Sequence, residues 1–160
     1  MATMSSTSVD ASELHANVAL RLRDDDQRYT SGRRALVDLL VGADRPLTVA
    51  EVLERSEALT QSSAYRNLSL LERAGVVLRV VTDDEFGRFE LAEDLTGHHH
   101  HHLICTSCGL VEDFSVPDPI EEAVDAALHR VATKAGFSID HHRMDLIGTC
   151  PACRSRAAAT

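Results

Sequence analysis

Four cysteines are the only ones in the 160-residue chain, and they stand as two Cys-x-x-Cys pairs, Cys105–Cys108 and Cys150–Cys153. Two intervening residues let one tight turn aim both sulfurs at a single point, so two such pairs can close around one tetrahedral zinc ion. A disulfide or a redox pair is the competing chemistry. The first pair is entered through five consecutive histidines, His98 to His102, followed by Leu103-Ile104-Cys105. That apolar continuation reads as a strand, on which alternate residues face opposite sides. His100 and His102 then share one face, and His99 and His101 the other, so one run can feed two separate metal sites. Imidazole suits zinc, iron, nickel and copper alike.

Other residues could do chemistry at their own places. Gln61-Ser62-Ser63-Ala64-Tyr65-Arg66-Asn67 puts polar groups near the start of a helix whose other face carries Leu68 and Leu71. Such groups can meet phosphates and base edges in a major groove; a solvated amphipathic helix is the bland reading. Arg28, Arg33 and Arg34 precede or lie on an earlier helix and could hold phosphates. Glu121 reads as an acid at a helix N-terminus, favoured by the helix dipole. His142 lies on a strand before the second cysteine pair, with His141 facing the other way; His15 and His129 read as surface residues.

These groups need elements to position them. Leu14, Val18 and Leu22 make a helical stripe over Asp10–Arg23. A second helix, capped by Thr30 or Ser31, carries Ala35, Leu36, Leu39 and Leu40 and stops at Gly42. Thr48-x-x-Glu51 is a capping box for a short third helix. Thr60–Ser63 offers caps for a fourth, with Gly75 beyond its end. Val76–Val81 and Arg88–Leu91 read as strands around a turn at Asp83–Gly87. Helices followed by a β-hairpin describe a winged helix-turn-helix. Strands are then expected at His99–Cys105, Leu110–Phe114, Phe137–Asp140 and Arg143–Ile147, with a helix from Asp118 to Ala135 that Asp118 caps, ending at Gly136. The expected class is α+β: residues 1–9 disordered, a winged-helix DNA-binding domain over 10–91, a hinge at 92–98, an α/β dimerisation domain with structural zinc over 99–153, and a tail at 154–160.

Charge divides the chain in the same way. The net charge is −9, yet residues 1–80 carry 10 Lys and Arg against 11 Asp and Glu, while residues 81–160 carry 6 against 14. Only the first half could face phosphate. Apolar residues make up 44% of the chain, enough for a core. No apolar run approaches the length of a membrane span, and Met1–Ser8 lacks the regions of a secretion signal. The expectation is a cytoplasmic protein whose thiolates are kept for metal, with no membrane partner.

Taken together, Arg28-Tyr29-Thr30-x-x-Arg33, Ala64-Tyr65-Arg66-Asn67-Leu68, Ala74-Gly75-Val76-Val77, Phe89-Glu90-Leu91, the run HHHHHLICTSCG and Gly148-x-Cys150-x-x-Cys153 resemble the ferric uptake regulator superfamily. The resemblance covers about Asp24–Cys153. It implies a homodimeric winged-helix repressor, gated by metal, that binds AT-rich palindromic operators of metal or stress genes and is not an enzyme. Carried over by motif, Cys105, Cys108, Cys150 and Cys153 match the structural zinc site. His99, His101, Glu121 and His142 match a second site of N/O ligands. His100 and His102 match the regulatory site, with Asp113 as an acid seen in some members and Glu90 as the acid after the wing; Glu93 and Asp94 are alternatives by spacing. The family's histidine before the third helix falls near Pro46 and is missing, and His98 could replace it. The implied DNA contacts are Arg28, Arg33, Ser62, Ser63, Tyr65, Arg66 and Asn67. The regulatory metal would be Fe2+, Mn2+ or Zn2+. No cysteine is spare for a thiolate-containing zinc sensor. Ser31-Gly32 stands where the family has a proline, and Ser63-Ala64 where Thr-Val is usual. The rival readings are a DNA-binding protein with structural zinc alone, a metal storage or delivery module, and an enzyme using a histidine-bound zinc with Glu121 as general base.

Overall fold

A computed structural model describes residues 10–82, 86–97 and 99–158. The chain forms two compact units, one up to residue 98 and one from His99 onward.

The first unit begins with helix α1 (Ala11–Asp24), whose N-terminus is capped by the Asp10 carboxylate accepting from the Ser12 amide. Thr30, rather than Ser31, caps α2 (Ser31–Val41). A two-residue strand, β1 (Leu47–Thr48), leads into α3 (Val49–Glu54), where Thr48 and Glu51 complete the expected capping box in both directions. Helix α4 (Gln61–Arg73) follows, capped by Thr60. Gly75 has a φ of +67°, a left-handed turn that an L side chain resists, and it reverses the chain into β2. Strands β2 (Val77–Val80) and β3 (Arg88–Leu91) pair antiparallel, with Val77 opposite Leu91, and β1 adds to the far edge of β3, giving the order β1-β3-β2. This is a winged helix-turn-helix, and β1 is the strand the sequence reading missed. Its core joins Leu14, Val18 and Leu22 of α1 to Leu36 and Leu40 of α2 and Leu68 and Leu71 of α4.

Two corrections fall in this unit. His15, expected at the surface, is 7% exposed. Its Nδ1 lies 2.6 Å from the Tyr29 hydroxyl and its Nε2 lies 2.8 Å from Asp38, so one buried imidazole stitches α1 to α2. Burial pushes the Tyr29 phenol up to about 12, which keeps it a neutral hydrogen-bonding group. The expected hinge contains a short helix, α5 (Glu93–Thr96), tied back to α1 by the Arg21–Asp94 ion pair. His98 lies outside the described residues, as do Asp83 and Asp84 of the expected turn.

The second unit is built on strand β4 (His101–Cys105). It pairs antiparallel with β5 (Val111–Phe114) on one side and parallel with β6 (Asp145–Gly148) on the other. The parallel pair needs a crossover, and α6 (Asp118–Ala135) supplies it, ending on left-handed Gly136 as expected. The helix has the expected span, but Pro117 rather than Asp118 occupies the cap position, and there is no side-chain capping hydrogen bond. Phe137–Asp140, expected as a strand, is irregular, and the predicted tail is largely helix α7 (Pro151–Ala158). No helix among the described residues is long and apolar enough to cross a membrane.

Candidate metal centres and the DNA-facing helix

All four cysteines converge at the end of β4. Their sulfurs lie within 4.8 Å of one another, and Cys108 Sγ and Cys150 Sγ are 3.8 Å apart. A disulfide needs about 2.05 Å. A tetrahedral ion with bonds of about 2.3 Å sets its sulfurs about 3.8 Å apart. The spacing fits zinc, and all four cysteines are free thiols in this structure. Backbone amides prepare the site: the Cys150 amide donates to Cys105 Sγ at 3.3 Å. That bond, aided by the Cys108 and Ser107 amides, draws the Cys105 thiol down to about 6. The Leu110 amide acts the same way on Cys108, but its sulfur neighbours outweigh it and push that thiol up to about 11. Four thiols so close cannot all ionise without a cation among them. Arg156, on α7, adds a hydrogen bond to Cys153 Sγ at 3.0 Å.

The histidine run alternates as β-geometry requires. On one face His99 and His101 meet Glu121 from the first turn of α6 and His142 from the segment before β6. The Nε2 atoms of His99, His101 and His142 lie 3.1, 2.9 and 3.0 Å from the Glu121 carboxylate oxygens. Three imidazole nitrogens around one carboxylate suit a borderline divalent metal such as zinc, iron or manganese. Glu121 Oε1 and His142 Nε2 are buried without a hydrogen-bond partner despite their 3.0 Å approach. A cation held between the two atoms would satisfy both. The His101 hydrogen bond, outweighing burial and joined by the charges of the three histidines, holds the Glu121 carboxyl below its ordinary range.

On the opposite face His100 and His102 meet Asp113. The strand register makes this pairing: His102 stands opposite Asp113 on β5 and opposite Asp145 on β6. Nε2 of His100 and Nε2 of His102 each lie 3.9 Å from an Asp113 oxygen, wider than in the first histidine cluster. Asp145 takes the other ring nitrogen of His102, Nδ1, at 3.1 Å. Of the acids expected from before the histidines, Glu90 is half-buried on β3, Glu93 opens α5, and Asp94 is engaged by Arg21.

The predicted DNA contacts divide into two groups. Arg28, Ser62, Tyr65 and Arg66 are exposed, and the last three occupy the N-terminal half of α4. Ser63, Arg33 and Asn67 are used within the fold. Ser63 accepts from the Thr60 amide at 3.0 Å and donates to the Thr60 carbonyl. Arg33 donates to Asn67 Oδ1 at 3.4 Å, to the Arg28 carbonyl and to Gln27, so it fixes α2 against α4. Sequence reasoning missed Asp125 and Asp145, which meet His142 and His102, and exposed Arg79 on the wing. Asp125 had a signal, since it lies one helical turn after Glu121 and shares its face of α6.

Comparison with known proteins bears on the family and the fold. The model of the ferric uptake regulator family matches residues 24–147. A peroxide-responsive repressor PerR of Staphylococcus epidermidis is 29% identical over 146 residues, covering 89% of this chain and 91% of its own. The structure of the Vibrio cholerae ferric uptake regulator superposes with a TM-score of 0.63 at 27% identity, over 82% of this chain and 98% of that one. The Helicobacter pylori ferric uptake regulator has the same fold, with a TM-score of 0.70 at 21% identity over 91% and 95% of the two chains.

Proposed function

The chain belongs to the ferric uptake regulator family, and from that premise we propose that it is a metal-gated repressor whose switch is the His100–His102 face of β4. In this family it is a metal-dependent, DNA-binding transcriptional regulator of metal uptake or oxidative-stress genes, and it acts as a dimer. Zinc is the structural metal at Cys105, Cys108, Cys150 and Cys153, and the histidine and carboxylate sets suit a regulatory Fe2+, Mn2+ or Zn2+. The observation that carries the reading is the separation of the histidine run into two ligand sets on opposite faces of one strand.

His99, His101, Glu121 and His142 would hold one metal. His100, His102 and Asp113 would hold the other, with Glu90 as the proposed fourth donor and Glu93 or Asp94 as alternatives. When bound, the regulatory metal supplies a cross-link between donors that are distant in sequence. The exposed residues of α4, Ser62, Tyr65 and Arg66, read an AT-rich palindrome, with Arg28 and Arg79 on phosphates. A dimer reads a palindrome only when its two recognition helices sit one half-site spacing apart. Ligand residues that favour this arrangement raise DNA affinity by selecting it from the metal-free ensemble. The uncovered apolar side chains of the second unit, among them Phe137, Leu146 and Ile147, form the dimer contact. The compartment is the cytoplasm.

The test is DNA binding by fluorescence anisotropy at fixed salt, with each metal titrated under buffered conditions. Coupling of about 1–3 kcal/mol, roughly five- to 150-fold in affinity, is expected for wild type. His100→Ala/His102→Ala should abolish that stimulation while the cysteine-bound zinc and the dimer persist. Undiminished stimulation in the double variant would reject the assignment.

A further inference from the structure

Each histidine cluster has a carboxylate just outside it that does not face the metal position. Asp145 Oδ1 lies 3.1 Å from His102 Nδ1, and Asp125 Oδ1 lies 2.8 Å from His142 Nδ1. In both cases the ring's other nitrogen, Nε2, is the one turned toward the ligand set: toward Asp113 for His102 and toward Glu121 for His142. The two arrangements arise independently. Asp145 is placed by the parallel β4–β6 register, and Asp125 by one turn of α6 beyond Glu121.

We infer that Asp145 and Asp125 are positioning residues, one for each histidine centre, which hold the Nδ1–H tautomer of His102 and His142 and so present Nε2 as the metal-binding lone pair. A carboxylate accepting from the distal ring nitrogen fixes the ring's orientation and makes the ligating nitrogen more basic; removing such a partner typically costs about 10–100-fold in metal affinity. His102 is nearly buried and is flanked on its face of the sheet by Asp113 and Asp145. Without Asp145, its Nδ1–H would lose this acceptor. Arg143 lies 3.7 Å from the second oxygen of Asp145 and steers the carboxylate from the other side. Asp125 is the more exposed of the two, with about half its side chain in solvent, so water can replace it in part and its loss should matter less.

This inference rests on the metal-binding reading of the two clusters, and the test separates the two. Protein with its cysteine site zinc-filled is titrated with Mn2+ in competition with a chromophoric chelator, for wild type, Asp145→Ala, Asp145→Glu, Asp125→Ala and the His100→Ala/His102→Ala background. The expected result is Mn2+ affinity about 10–100-fold weaker at one site in Asp145→Ala, recovered at least in part by Asp145→Glu. Asp145→Ala should have no further effect in the double-histidine background, while Asp125→Ala should still act there. Imidazole 15N spectra of the metal-free protein give a second readout: His102 and His142 should be Nδ1–H tautomers in wild type and lose that state in the respective alanine variants. Unchanged affinity in both aspartate variants, or Nε2–H tautomers in wild type, would overturn the inference. Wild type that takes up no Mn2+ would instead reject the metal-binding reading, and the tautomer spectra would still decide the role of the aspartates.

Discussion

From Leu14 to Leu95 the buried side chains are dominated by leucine and valine; from His99 onward they are His101, His102, Ile104, Cys105, Val111 and Cys153. The first unit thus has an apolar core that excludes water on its own account. The second has buried mostly histidine and cysteine side chains of the candidate metal centres. Its long helix α6 has no buried residue at all among those described, and Ile120, Val131, Phe137 and Ile147 are more than half exposed. On the proposed reading, ions and a second copy of the chain complete it. The two units then answer to different variables, the first to packing and the second to metal supply and protein concentration.

The sharpest way to break that comparison is to remove a cysteine. Structural zinc contributes apparent folding energies of about 10–16 kcal/mol in small domains, far more than Ile104 and Val111 could replace. Cys105→Ser should therefore unfold the second unit and give a monomer by light scattering. Both tyrosines of the chain, Tyr29 and Tyr65, lie in the first unit, and there is no tryptophan. Tyrosine fluorescence should then still report a cooperative transition for the first unit while limited proteolysis removes the second. A dimeric Cys105→Ser protein with a protected second unit would show that apolar packing there has been underestimated.

The converse change is Leu71→Ala, which removes a fully buried side chain of α4 from the centre of the first core. A loss of about 2–5 kcal/mol is expected in the transition followed by tyrosine. Zinc content and protease resistance of the second unit should stay at wild-type values. Concerted loss of both units would mean that they unfold as one.

What the sequence made legible follows the same division. Period-2 alternation grouped His100 with His102 and His99 with His101, and the rings lie together in those pairs. Cysteine spacing carried the zinc site for a similar reason: the geometry is local to each pair. Thr48 and Glu51 announced α3 because both halves of a capping box lie within four residues. Long-range placement was harder. His15 reads as a surface residue until Tyr29 and Asp38 are brought to it by the packing of α1 on α2. That Arg33 also reaches Asn67 emerges only from the packing of α2 on α4. Phe137–Asp140 is apolar enough for a strand, but the segment pairs with no strand among the described residues. Asp145 acquires its role only from a parallel register set across a crossover of some forty residues.

The smallest expected effect sharpens the comparison through pH. Burial raises the Glu51 carboxyl, but the Arg45 guanidinium and the Thr48 amide and hydroxyl outweigh it and hold it at about 2, against an ordinary value of 4.5. A depressed folded value means that the unfolded chain takes up the proton first. The stabilisation is therefore fully present above about pH 4.5 and is lost as pH falls toward 2. Glu51→Gln retains an acceptor for the capping box but removes the charge facing Arg45. At neutral pH it should lower the stability of the first unit by about 1 kcal/mol, the upper end for a solvent-accessible ion pair. The difference between wild type and variant should close as pH falls below 4.5. Denaturant midpoints read by tyrosine fluorescence between pH 6 and 3 measure it. Over the same range the second unit should fail first and more steeply, because its thiolates must give up zinc to become protonated. A Glu51→Gln difference that persists unchanged at pH 3 would place the stabilisation in the geometry of the cap rather than in the charge of Glu51.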